Sequence, residues 1–176
     1  MSDVMIGPPP ERIASRRQFL KRAIAGGGGA CALGPMASEA LAQPAPGIRA
    51  FDHVAIPIQN VEAMVSFYRG LGLKVNQNGQ RISVHFGDQK INFHTPATWQ
   101  RESFTLRAPA AKPPCGDWCW VWDGSPASLT AMLDRAGAKI IEGPAPRDGG
   151  RGGGTVGQSV YVRDPDGNLL EFIIYS

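Results

Sequence analysis

The chain has 176 residues, 43% hydrophobic and 19% charged, which suits one globular domain and excludes a disordered chain. No apolar run is long enough for a transmembrane helix, and three Cys are too few for a disulfide framework. The 22 Gly and 15 Pro call for many turns, and the formal net charge is +3.

The first predicted segment is an address. Ser15-Arg16-Arg17-Gln18-Phe19-Leu20-Lys21 is followed by a weakly apolar stretch, Arg22 to Ala37, rich in Ala and Gly. Ala40-Leu41-Ala42 then offers a small-x-small cleavage site ahead of Gln43. Residues 1–42 therefore resemble a twin-arginine signal peptide, which implies the twin-arginine export machinery as a partner and a periplasmic or secreted location. A basic helix opening the domain is the alternative; Gly26 to Gly29 oppose it, at about 1 kcal/mol each. Cys31 follows Gly28-Gly29-Ala30, which lacks the upstream Leu of a lipoprotein site. Five of the 18 basic and three of the 15 acidic residues lie in 1–42, so the remainder carries a net +1. That is too little to argue for nucleic acid or an anionic membrane. The twin-arginine resemblance also implies a protein that folds before export, often with a metal or cofactor loaded.

Residues 43–50 read as a linker, and 51–176 as one domain of alternating strands and helices. Phe51–Ile58 is a predicted strand. Val61–Gly70 is an amphipathic helix. Leu73–Asn78, Arg81–Phe86 and Lys90–Thr95 are predicted strands, and Pro96 to Pro114 is a loop. The order then recurs: strand Asp117–Trp122, helix Ala127–Ala136, strand Lys139–Glu142, a Gly-rich loop, and strands Ser159–Arg163 and Leu169–Tyr175. Gly72-Leu-Lys-Val75 aligns with Gly137-Ala-Lys-Ile140, His53 with Asp117, and Ile91-Asn92-Phe93 with Leu170-Glu171-Phe172. The chain is thus two βαβββ units.

Three segments carry a resemblance: Asp52-His-Val-Ala-Ile56, Ser66-Phe-Tyr-x-x-Leu-Gly72, and Asp164-Pro-Asp-Gly-Asn-Leu-Leu-Glu171. In this order they resemble the vicinal oxygen chelate superfamily of glyoxalases, bleomycin-resistance proteins and extradiol dioxygenases. Phe86-Gly-Asp-Gln-Lys-Ile-Asn-Phe-His94 with Glu142-Gly-Pro-Ala-Pro-Arg147 is most similar to the glyoxalase domain-containing protein 5 type. The resemblance implies an α+β fold in which the two units form a curved mixed sheet, with helices on the convex face. It also implies a homodimer, since family clefts are often completed by two chains.

Strand alternation separates the rows. Leu170, Phe172 and Ile174 form an apolar row, and Leu169, Glu171 and Ile173 the opposite one. A carboxylate in such a strand is costly unless paired, bound to a metal or in water. Trp118, Trp120 and Trp122 face the helices; Asp117, Cys119 and Val121 face the cleft. The resemblance implies that His53, Asp117 and Glu171 are ligands of a divalent metal ion: Mn, Fe, Mg, Ni or Zn. Asp117 stands where many relatives carry His, which makes the set harder and more anionic; a turn or cap role after Gly116 is the alternative. Asn92 stands where glyoxalase I has a Glu ligand, so it is assigned to substrate binding.

His94 shares the face of Asn92 and is a candidate base or substrate contact, or a structural His. Tyr161 is a candidate catalytic group by its likeness to a cleft tyrosine of the fosfomycin-resistance branch; a core tyrosine is equally consistent. His85 has no assignment. Gly149-Gly-Arg-Gly-Gly-Gly154 lacks the Gly-Lys-Ser/Thr end of a phosphate loop and precedes a strand. It reads as a flap from which Arg147 or Arg151 meets an anionic substrate, or as a solvated loop. Cys115 and Cys119 are expected to be free thiols.

Three readings follow, one of them a metal-bearing protein with no catalytic role. Another is a metal-dependent lyase, isomerase or dioxygenase acting on a small oxygen-chelating substrate. The third is a metal-free binding protein for a small molecule or antibiotic. Asn92 argues against lactoylglutathione lyase.

Overall fold

A computed structural model describes residues 47–175. The expected signal segment, 1–42, and Cys31 lie outside the described residues. Gly47–Ser176 is one compact unit. Its elements run β1 His53–Pro57, α1 Val61–Gly70, β2 Lys74–Asn78, β3 Arg81–Phe86, β4 Gln89–His94, α2 Pro96–Trp99, β5 Asp117–Val121, α3 Pro126–Arg135, β6 Glu142–Asp148, β7 Val156–Arg163 and β8 Leu169–Ile174.

The strands form two four-stranded sheets of identical topology, β1-β4-β3-β2 and β5-β8-β7-β6. In each, the first and fourth strands are parallel and the remaining pairs antiparallel. The repeat extends to the helix ends. Gly72 (φ 83) and Gly137 (φ 68) take the left-handed conformation that turns the chain out of α1 and α3. Leu73 N–H then donates to Tyr68 C=O and Ala138 N–H to Leu133 C=O, satisfying equivalent carbonyls.

Two segments depart most from expectation, while β7 starts three residues earlier, at Val156, and β1 is shorter, His53–Pro57. The segment read as a loop begins with the short helix α2, whose Pro96 sits at its first turn. The strand expected over Lys139–Glu142 instead lies over Glu142–Asp148. Its Pro144 and Pro146 cannot donate to a ladder, which confines such a strand to a sheet edge. As the sheet edge, β6 needs partners on one side only, and its register shifts between Glu142 and Ala145.

One core joins both units. Ile56, Val84, Ile91 and Phe93 from the first sheet and Val162, Leu170 and Phe172 from the second pack with Met64, Tyr68, Leu129 and Leu133 of the helices. Each such side chain contributes about 1.5–3 kcal/mol by burial. The Tyr68 ring meets Phe93 (centroids 5.2 Å) and Trp120 (6.1 Å) edge-on, and so bridges the units.

A polar clasp complements this core. Asp164, buried in the β7–β8 turn, accepts from Asp166 N, Asn168 N, Asn168 Nδ2 and Tyr68 Oη at 2.8–3.0 Å. Asn168 Oδ1 in turn accepts from Cys115 and Gly116 N–H. Asp166 accepts from the N–H groups of Gln59 and Asn60 and from the Asn60 amide. Asn60 has no side-chain cap of its own, so Asp166 supplies the negative group at the start of α1.

Candidate functional site

Alternation gives each sheet a core-facing row and an opposite row that carries its polar groups, the latter mixed in the second sheet, where Ile173 and Ser159 are buried beside Glu171. The polar face of the first carries His53 on β1, Lys90, Asn92 and His94 on β4, and Arg81, Ser83 and His85 on β3. The polar face of the second carries Asp117 and Cys119 on β5, Glu171 on β8, Ser159 and Tyr161 on β7, and Glu142 and Arg147 on β6.

His53 lies on an edge strand, with its side chain 47% exposed. Its Nδ1 is 2.5 Å from Asp52 Oδ1, and this hydrogen bond is the main reason the Asp52 carboxyl lies below its ordinary range. A carboxylate on Nδ1 leaves Nε2 as the free nitrogen, as in metal-binding histidines. Asp117 opens β5, the edge of the other sheet. It is exposed, lies within the strand rather than in a turn, and makes no side-chain capping bond among the described residues.

Glu171 is half-buried and better surrounded. Ser159 Oγ donates to its Oε1 at 2.5 Å. Cys119 stands beside it on β5, and burial, reinforced by the Glu171 charge, pushes that thiol up to about 12. Tyr161 faces Glu171 from β7, and its Oη accepts from Arg147 Nε at 3.0 Å. Burial raises the Tyr161 phenol above its ordinary value, Arg147 pulls it back, and Glu171 raises it again. Tyr161 is therefore a polar-face residue, not a core one.

Arg147 also pairs with Glu142 at 2.5 Å. The Gly-rich segment forms the β6–β7 connection through a 3-10 turn, Arg151–Gly153, and Arg151 lies 5.3 Å over the Tyr175 ring. Both arginines are thus engaged by the protein itself.

On the first sheet, Asn76 Nδ2 and Ser83 Oγ both contact His85 Nε2, at 3.1 and 2.9 Å. The amide must donate, so Nε2 accepts and the neutral ring carries its proton on Nδ1. This binds His85 into the sheet surface. His94 is half-buried and edge-on to Phe104, and burial lowers its pKa. Its Nδ1 is buried with no hydrogen-bond partner among the described residues. Cys115 and Cys119 are free thiols.

The structure thus gathers Glu171, Tyr161 and Arg147 on one sheet and Asn92 and His94 on the other. Among the described residues no three His, Cys, Asp or Glu side chains converge as a metal site. His53, Asp117 and Glu171 do not meet within one chain. The sequence showed Asp52 and Ser159 only indirectly: Asp52 adjoins His53, and Ser159 shares the parity of Tyr161.

Two cavities accompany these faces. One, about 590 Å³, lies over the first sheet and is lined by Arg81, Lys90, Asn92, His94, Arg101 and Phe104 among others. The other, about 620 Å³, lies between the units, with Val54, Leu73, Phe86, Trp118, Trp120 and Trp122 in its wall. The indole N–H of Trp118 is buried and has no hydrogen-bond partner among the described residues.

No family model matches the chain. It is 37% identical over 131 residues to glyoxalase domain-containing protein RDO1 of Mycosarcoma maydis, covering 73% of this chain and 69% of that protein. It is 32% identical over 126 residues to virulence protein STM3117 of Salmonella typhimurium, covering 70% of this chain and 83% of the relative. The crystal structure of STM3117 matches at TM-score 0.64 over 74% of this chain and all of that one. An integron cassette protein of Vibrio cholerae matches at TM-score 0.65, 32% identity, over 74% of this chain and 98% of that one. Two βαβββ units with polar sheet faces define a paired-module α+β protein with a glyoxalase-type architecture. The chain belongs to the vicinal oxygen chelate superfamily, among its glyoxalase-like members.

Proposed function

We propose that this chain is an exported glyoxalase-like protein that works as a homodimer, holding a small oxygen-chelating ligand beside a divalent cation as a lyase, isomerase or dioxygenase. The observation that carries it is His53, held at Nδ1 by Asp52 with Nε2 free on an unpaired sheet edge. The single chain by itself does not fit the metal, because its three donors do not converge. His53 and Asp117 both lie on edge strands, so a second copy along those edges is what the proposal requires. The nearer likeness to the glyoxalase domain-containing protein 5 type belongs to the same proposal.

A bound divalent ion would act as a Lewis acid on two neighbouring ligand oxygens. The chain's own groups have defined capacities. Tyr161 stays protonated near neutral pH and offers its Oη hydrogen to a ligand oxygen. His94 is neutral near the same pH, so its imidazole is free to take a proton. Asn92 supplies a neutral amide donor and acceptor.

Elemental analysis of the full chain after dialysis, with its size in solution, tests the proposal. A dimer with stoichiometric metal supports it, as does loss of metal in His53→Ala and weakened binding in Glu171→Gln. A metal-free chain showing no thermal shift with Mn, Fe, Mg, Ni or Zn refutes the metal. The apolar cavity with its aromatic wall favours a second function in that case, a metal-free binder of an aromatic or antibiotic-like molecule. Export is tested by Arg16→Lys with Arg17→Lys. Protein beginning at Gln43 in the periplasm of that double variant would refute it.

A further inference from the structure

The cavity over the first sheet has an uneven charge. Arg81 at the start of β3, Lys90 on β4 and Arg101 just beyond α2 all line it. No carboxylate lies within 4.0 Å of any of the three among the described residues; the ion pairs there are His53–Asp52 and Arg147–Glu142. Asp52 feels the charge of Lys90, but its Oδ1 is held by His53, and neither Asp52 nor Glu102 lines the cavity. Three like charges around one concavity repel one another unless an anion sits among them.

The neutral groups agree. Gln80 lines the same cavity, and its Oε1 accepts from Thr95 Oγ1, which leaves its amide hydrogens free. Ser83 and Asn92 add a hydroxyl and an amide. At about 590 Å³ the cavity is in the range of small-molecule sites, and Phe104 gives it an apolar wall. The arginines assigned to the substrate from the sequence lie elsewhere and are already engaged.

We propose that this cavity holds the oxyanion of the chain's small-molecule ligand, a carboxylate or phosphoryl group, through Arg81, Lys90 and Arg101. The assignment rests on the ligand occupying the polar sheet faces and adds its charge class. Arg81 and Arg101 fork onto two oxygens each, and Lys90 supplies a point charge.

Calorimetric titration with inorganic phosphate and with malonate, on the full chain stripped of metal by EDTA and then dialysed free of EDTA, tests this apart from any metal. Saturable binding of either probe is expected, weakening with added salt. Arg81→Gln with Arg101→Gln should weaken it at least about tenfold, and Lys90→Gln should act in the same direction. Arg81 and Arg101 are exposed and carry no ion pair, so both variants should keep the wild-type circular dichroism. Absence of saturable binding overturns the proposal. So does equal affinity in the arginine double variant, or a loss produced by Arg147→Gln in place of it. Failure of the metal proposal would leave these outcomes unchanged.

Discussion

Tyr68→Phe is the cleanest probe of how the two units are held together. Tyr68 is fully buried and its ring packs edge-on against Phe67, Phe93 and Trp120, contacts that Phe retains. The substitution therefore removes one group, the Oη that donates to Asp164 Oδ2 at 2.9 Å. A hydrogen bond to a charged acceptor contributes about 1.5–3 kcal/mol. Asp164 keeps three other donors, so the expected loss lies at the lower end, about 1.5 kcal/mol. Asp164→Ala strands those donors together with Tyr68 Oη and should cost about 3–5 kcal/mol. Urea unfolding followed by tryptophan fluorescence measures both. The slope with urea should not change, because the same surface is exposed on unfolding. In the double variant the losses should fall short of additive by at least about 0.5 kcal/mol. Additive losses, or a Tyr68→Phe chain within about 0.5 kcal/mol of wild type, would refute the clasp.

Burial raises the Asp164 carboxyl above its ordinary value, against the pull of Asn168 and Tyr68. A folded pKa above the unfolded one means that the native state takes up the proton first. Its favourable contribution is complete below the unfolded pKa, about 3.9, and is lost as pH rises through the folded value. Wild type should therefore gain stability relative to Asp164→Asn on acidification through that window; a constant gap from pH 7 to about 4 would contradict this. With Cys119 pushed up to about 12, chiefly by burial and then by Glu171, alkylation by iodoacetamide should be slow near neutral pH and still rising at alkaline pH. Glu171→Gln should speed it, as read by peptide mass spectrometry; an unchanged rate would separate the two groups. Gly143→Ala should lose at least about 2 kcal/mol in chemical unfolding. At Gly143 φ is 103°, and a Cβ would stand 2.4 Å from the Ser159 carbonyl oxygen, an atom that cannot rotate away. A near-neutral effect would mean that the β6 bulge relaxes freely.

Much of the fold was legible because local rules and the repeat agreed. The apolar spacing of Met64, Val65 and Tyr68 marked α1, and alternation set Leu170 and Phe172 in the core row of β8 opposite Glu171, although Ile173 on the Glu171 side is buried as well. The match of Gly72–Val75 to Gly137–Ile140 correctly registered the second unit on the first. β6 was misplaced because its prolines violate strand preference, which only its position at the sheet edge excuses. Asp164-Pro-Asp-Gly read as a turn. Nothing local showed that its carboxylates reach about a hundred residues back, to Tyr68 and Asn60.

The sequence by itself determined which residues share a face. Side-chain parity in a strand depends only on the backbone, so the sequence places His53, Asn92, His94, Asp117 and Glu171 on polar rows, while Tyr161 stays open between cleft and core. Only the tertiary structure decided which rows meet. It grouped Glu171 with Ser159, Cys119 and Tyr161, spent Arg147 on Glu142, and set Arg81, Lys90 and Arg101 around one cavity with no ion pair among the described residues. It also kept His53 and Asp117 on the edges of separate sheets, because parity fixes direction within a sheet and says nothing of the distance between two.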